Sequence, residues 1–147
     1  MVMSERDHYK KLENIYYAAE LNMMLNPSIS ISKGKCELDT EFGAHCFHAA
    51  AAAHGALIFK TLDDSAYFAA NSLILDYFLV TVSYNVHFVR PVFSEKIHSI
   101  GSVVEQTKNQ IIAESTSYNS KNKKVAFGVG VFMKSHTKLN DLKYYKL

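Results

Sequence analysis

From residue 78 to residue 88 the even positions are Phe, Val, Val, Tyr, Val and Phe, while the odd ones include Thr81, Ser83, Asn85 and His87. Successive side chains of a strand point to opposite faces, so this alternation predicts a strand with one apolar side. Residues 97–106, 111–118 and 125–133 read as three more strands, separated by the turn-like runs Thr107-Lys108-Asn109 and Asn119-Ser120-Lys121-Asn122. Loops this short join antiparallel neighbours, because parallel pairs need crossovers of a dozen or more residues. The second half of the chain is therefore expected to be an antiparallel meander.

The first half follows a different period. Over residues 5–25 the apolar positions Leu12, Ile15, Tyr16, Ala19 and Met23 recur at helical intervals, and Asn26-Pro27 ends the pattern. Residues 29–38 alternate as a weak, exposed strand; a His- and Ala-rich stretch over 42–53 then leads into a helix over 54–75. Helix, strand, long helix and four strands make an α+β chain with one sheet against one main helix. There is no internal repeat or linker, so one domain is expected over 1–147, with a helical extension at 1–28 and a loose polar tail at 135–147.

Composition removes several function classes. Apolar residues at 48% and charged residues at 20% suit a globular core and argue against disorder. A net charge of only +2 gives no basic stripe, so no nucleic-acid partner is expected. No apolar run approaches the roughly 20 residues that cross a bilayer, and the charged first ten residues do not read as a secretory signal. Two cysteines, Cys36 and Cys46, make no disulfide framework; a reduced, cytoplasmic setting is the expectation.

On a helical wheel centred on Ile58, the residues Leu62, Ala66, Ala69 and Leu73 fall within about 80° and form the buried stripe. Asp63 lies at about 140°, on the border of that stripe, where a carboxylate loses hydration and needs a partner or a purpose. Asp64 falls on the far side, four residues from Lys60, and reads as half of a modest solvated pair. At the helix start, His54-Gly55-Ala56 offers free N–H groups and a small residue that lets a ligand approach. Helix propensity in the run Ala49-Ala50-Ala51-Ala52-Ala53 would extend the helix back to about Phe47, and pattern alone leaves the two starts open.

The stretch from His54 to Ala66, HGALIFKTLDDSA, resembles the "H-G-G, six residues, D" signature of phenylacetyl-CoA-type hotdog thioesterases. Val80 to Pro91, VTVSYNVHFVRP, is similar to that family's strand ending in F-(L/M)-R-P. The resemblance spans roughly residues 30–134 and implies a hotdog fold: a long central helix wrapped by five or six antiparallel strands, here with an extra N-terminal helix. It also implies metal-independent hydrolysis of acyl-CoA, with coenzyme A entering only as part of the substrate. Carried over by position, Asp63 matches the catalytic acid, acting as general base or nucleophile. Gly55 matches the residue whose N–H receives the thioester oxygen, and Thr81 a hydroxyl that helps hold water. His54 is the motif histidine. His48 stands where the family has an asparagine, and Ala56 where it commonly has a second glycine.

Gly55 and Asp63 are eight residues apart on one helix, about 12 Å, whereas reacting groups must meet within roughly 3.5 Å of one atom. If both act, each site joins Gly55 of one chain to Asp63 of another, and a homodimer or dimer of dimers is expected. The cluster His45, Cys46, His48 and His54 matches no common zinc spacing, so no metal is expected. Arg90 suits a phosphate but equally a surface carboxylate. The alternative function is a hotdog module that binds acyl-CoA or acyl-carrier protein without hydrolysis; a hydratase ranks last, lacking proline-glycine elements.

Overall fold

In the computed structural model, which describes residues 3–147, the elements run α1 (Glu5–Ala18), α2 (Glu20–Met23), β1 (Ser28–Ser32), β2 (Lys35–Phe42), α3 (Gly55–Asn71), β3 (Tyr77–Phe88), β4 (Glu95–Gln106), β5 (Ile111–Tyr118) and β6 (Lys124–Lys138). All six strands join one antiparallel sheet in the order β1-β2-β4-β5-β6-β3, with α3 lying across it. This is the hotdog arrangement that the two motifs implied.

Why α3 sits so close to the sheet is visible beneath it. The inward positions of β4 and β5 there are small: Ser99, Gly101, Ala113, Ser115 and Ser117 are all buried, with Gly101 paired to Ser115 and Ser99 to Ser117. A Cβ added to Gly101 would stand 2.0 Å from the Ser65 carbonyl oxygen, so helix backbone and sheet backbone touch here. The serines turn the contact polar without leaving it unsatisfied: Ser115 donates to the Leu62 carbonyl at 2.8 Å, and Thr61 and Ser117 hydroxyls meet at 3.1 Å. To either side, Ile58, Leu62 and Ala66 pack into the core as the wheel expects, while Leu73 lies just past the helix end.

Four expectations change. The first helix breaks at Ala19, whose backbone is extended (φ −82°, ψ 115°), because the Asn22 amide takes the Tyr16 carbonyl at 2.7 Å; Met23 turns outward as a result. The weak strand is two strands. Gly34, at φ +67°, turns the chain, and Ile29, Ile31, Cys36, Leu38, Thr40 and Phe42 are buried on one side of the resulting hairpin. The four late strands are not a simple meander: β3 lies beyond β6, on the far edge, and the chain returns to β4 through residues 89–94, with Val92 buried in passing. The tail is anchored rather than loose. β6 continues to Lys138, Leu139 is buried, and the Tyr145 hydroxyl meets Nδ1 of the buried His8 at 2.5 Å, while His8 Nε2 donates to the Asn71 carbonyl.

β3 also departs from strict alternation. A register shift between Thr81 and Ser83 flips the side-chain faces, so Leu79 points inward before it and Tyr84 and Val86 after it. Val82 and Phe88 are left more than half exposed on an edge strand.

Gly101→Ala is expected to destabilise the fold by about 3 kcal/mol, the upper end for overpacking, because the obstacle is backbone and cannot rotate away. Denaturant unfolding compared with Ser102→Ala, at a half-buried neighbour, checks this.

Candidate functional site

The helix start is settled at Gly55, with His54 as its cap. The alanine run forms a tight turn instead of a helix: Ala51 takes φ +58°, and Ala53 and His54 donate to the Val92 and Cys46 carbonyls, both at 2.8 Å. Those tertiary bonds outweigh a propensity of a few tenths of a kcal/mol per residue. His54 has extended backbone (φ −64°, ψ 135°), and its Nδ1 accepts the Ala56 N–H at 3.0 Å. The Gly55 N–H is a first-turn amide with no intrahelical acceptor. Across the turn, His48 Nδ1 accepts the Ala50 N–H at 3.1 Å. Both imidazoles, when neutral, therefore keep Nε2–H as their free donor, with ring centroids 6.5 Å apart.

His48, Gly55, Ile58, Phe88 and Arg90 line a cleft of 390 Å³. The Phe88 ring lies over Gly55, where an added Cβ would meet Cζ at 3.3 Å. Arg90 donates to the Lys124 carbonyl at 2.6 Å. His45 bonds the Met24 carbonyl and Cys46 is buried, so His45, Cys46, His48 and His54 do not converge; among the described residues no group of three or more such side chains is placed to share an ion.

Asp63 belongs to a second, larger cleft of 660 Å³, which shares no lining residue with the first. Its walls include Tyr16, Asn22, Phe68, Phe78, Thr81 and Tyr144. Thr81 donates to Asp63 Oδ1 at 2.9 Å, which leaves Oδ2 as the open acceptor. Burial pushes the Asp63 carboxyl above the ordinary carboxylate range; the Thr81 bond opposes this, the Asp64 charge adds to it, and Lys60 opposes it. The structure thus brings Asp63 and Thr81 together, brings Gly55, His48 and His54 together, and keeps the two groups apart on each chain.

Asp64 is not the solvated residue that the wheel suggested. Its side chain is 18% exposed and that of Lys60 14%, with Nζ 2.5 Å from Oδ2. Tyr16 donates to the same Oδ2 at 3.2 Å, and Lys60 also reaches Asn22 Oδ1 at 2.6 Å. The N-terminal helices, packed over this face of α3, bury the pair. The one hint in the sequence is Tyr16 itself: a tyrosine on the apolar side of a helix brings a hydroxyl that must find a partner.

A family model described as the thioesterase superfamily matches residues 51–126. The chain is similar in structure to the Escherichia coli PaaI protein from the phenylacetic acid degradation operon, with a TM-score of 0.83 at 19% identity, covering 91% of this chain and 97% of that one. A thioesterase family protein from Silicibacter pomeroyi superposes at 0.79 with 20% identity, covering 86% and 96%. A Streptococcus mutans protein solved bound to acetyl-CoA superposes at 0.71 with 18% identity, covering 80% and 95%. No curated protein matches the sequence significantly.

Removing the hydroxyl that favours ionised Asp63 should raise its titration midpoint further. Thr81→Val is expected to shift the Asp63 carboxyl carbon titration, followed by ¹³C NMR, to higher pH than in the parent protein.

Proposed function

This chain belongs to the thioesterase superfamily, and we propose that it hydrolyses acyl-CoA thioesters at sites each shared by two copies. The observation that carries the reading is the separation of the two half-sites along one edge strand. Thr81, bonded to Asp63, stands towards one end of β3, and Phe88, covering Gly55, stands at the other. Among the described residues β3 is bonded only to β6, which leaves its outer edge to pair. An antiparallel partner strand related by a two-fold axis near Tyr84 and Asn85 sets the Thr81 end of one chain against the Phe88 end of the next. Exposed Val82 and Phe88 supply apolar surface for that contact.

In the joint site, the thioester carbonyl oxygen lies at the Gly55 N–H, where the helix end favours developing negative charge. Water hydrogen-bonded to Oδ2 of Asp63 of the partner subunit attacks the carbonyl carbon, and the carboxylate takes the water's proton. Collapse of the tetrahedral intermediate breaks the C–S bond; coenzyme A leaves as the thiolate and acquires that proton, releasing the free acid. His48 supplies its Nε2–H to the oxygen or the water. No step calls for a metal or a bound cofactor.

Two expectations test the shared site. The base must be ionised and burial raises its midpoint, so activity falls as pH drops and the acid limb of kcat/KM lies above the range of an ordinary aspartate. Asp63→Asn should lower kcat by about 10²–10⁴-fold. Gly55→Pro should lower it comparably while preserving the helix, since proline suits the first helical position and His54 is already extended. Mixed after joint refolding, these two inactive proteins form heterodimers with one intact and one doubly altered site, restoring about a quarter of parental activity. No recovery would refute the sharing; an inert parent that still binds acyl-CoA would make the protein a binding module.

A further inference from the structure

We propose that the Lys60–Asp64 ion pair, closed over by Tyr16 and Asn22 of the N-terminal helices, is a positioning device for Asp63 and makes residues 5–23 a working wall of the acid's cleft. The proposal rests on the reading of Asp63 as the base, and it extends that reading to residues that the two motifs do not assign.

The geometry is that of a built network rather than a surface pair. Lys60 Nζ is shared between Asp64 Oδ2 at 2.5 Å and Asn22 Oδ1 at 2.6 Å, and it also lies 5.7 Å from the centre of the Tyr16 ring. Asn22 in turn donates to the Tyr16 carbonyl, the group freed by the helix break at Ala19. Tyr16, Asn22, Asp63 and Asp64 all line the same cleft. Two poorly exposed opposite charges, tied by hydrogen bonds to Tyr16 and Asn22, are costly to rearrange, so they stand as a fixed pair of charges on the helix turn that carries Asp63. Breaking the pair leaves a single charge beside Asp63 in a poorly hydrated site, where its field is weakly screened.

The groups facing Asp63 decide the sign. On α3 these are Lys60, Asp64 and Tyr67; on β3, Thr81 and Tyr84; on the N-terminal helices, Tyr16. From the C-terminal segment, Lys143 and Tyr144 line the cleft. The tyrosines stay neutral because burial raises Tyr16, Tyr67 and Tyr84. The charged set is therefore Lys60 and Asp64, balanced against each other, with Lys143 at the cleft wall.

The test follows the Asp63 carboxyl titration by ¹³C NMR in Asp64→Asn and Lys60→Gln proteins, with kcat and KM for an acyl-CoA measured in parallel. Asp64→Asn is expected to lower the Asp63 midpoint, and Lys60→Gln to raise it. The acid limb of kcat should follow the same opposite directions. If the pair is only a brace, both substitutions lower the melting temperature and leave the midpoint where it was, or move it the same way; either result overturns the proposal. Should Lys60→Gln fail to fold, Asp64→Asn, whose amide keeps the size of the carboxylate, decides alone. The NMR midpoint needs no substrate. An inert parent protein would thus refute the proposed hydrolysis while the network is still judged by its own measurement.

Discussion

The contact between the Ser65 carbonyl and Gly101 fixes the geometry of the whole molecule. A helix normally rests on a sheet through a layer of side chains; here backbone meets backbone over a floor of glycine, alanine and serine. A helix seated this way cannot slide or roll without collision, because packed interiors have little free volume. Everything that α3 carries inherits the constraint. Its first amide is held under Phe88, and its middle turn is held against Thr81. The serines show what such closeness requires: side chains small enough to fit, each with a hydroxyl that finds a carbonyl or another hydroxyl.

Much of this was readable from residues alone where one period ran unbroken. The wheel through Ile58, Leu62 and Ala66 found the buried face of α3, and alternation found β4, β5 and β6. Reading failed where a local event interrupted the period. At Ala19 an asparagine side chain captured a backbone carbonyl; at Gly34 a two-residue turn joined what looked like one strand; between Thr81 and Ser83 a bulge exchanged the faces of β3. The position of β3 beyond β6 has no local signal at all, since strand order depends on where the chain crosses the helix end.

The candidate site divides in the same manner. His54, Gly55 and Asp63 are candidates through a motif with fixed spacing, and the wheel places Asp63 at the margin of the buried stripe. Lys60 and Asp64 were misjudged because the wheel knows only its own helix. Whether their face meets water or protein depends on residues more than thirty positions earlier, through Tyr16 and Asn22.

The link between His8 and Tyr145 joins positions 137 residues apart. Contacts of such separation carry a large closure entropy and are favoured only after the nearer ones are in place. Leu142, Lys143 and Tyr144, which line the acid's cleft, lie beside this link. The far side of the cleft is thereby closed by a contact that is favoured only once α3 and the sheet already stand together.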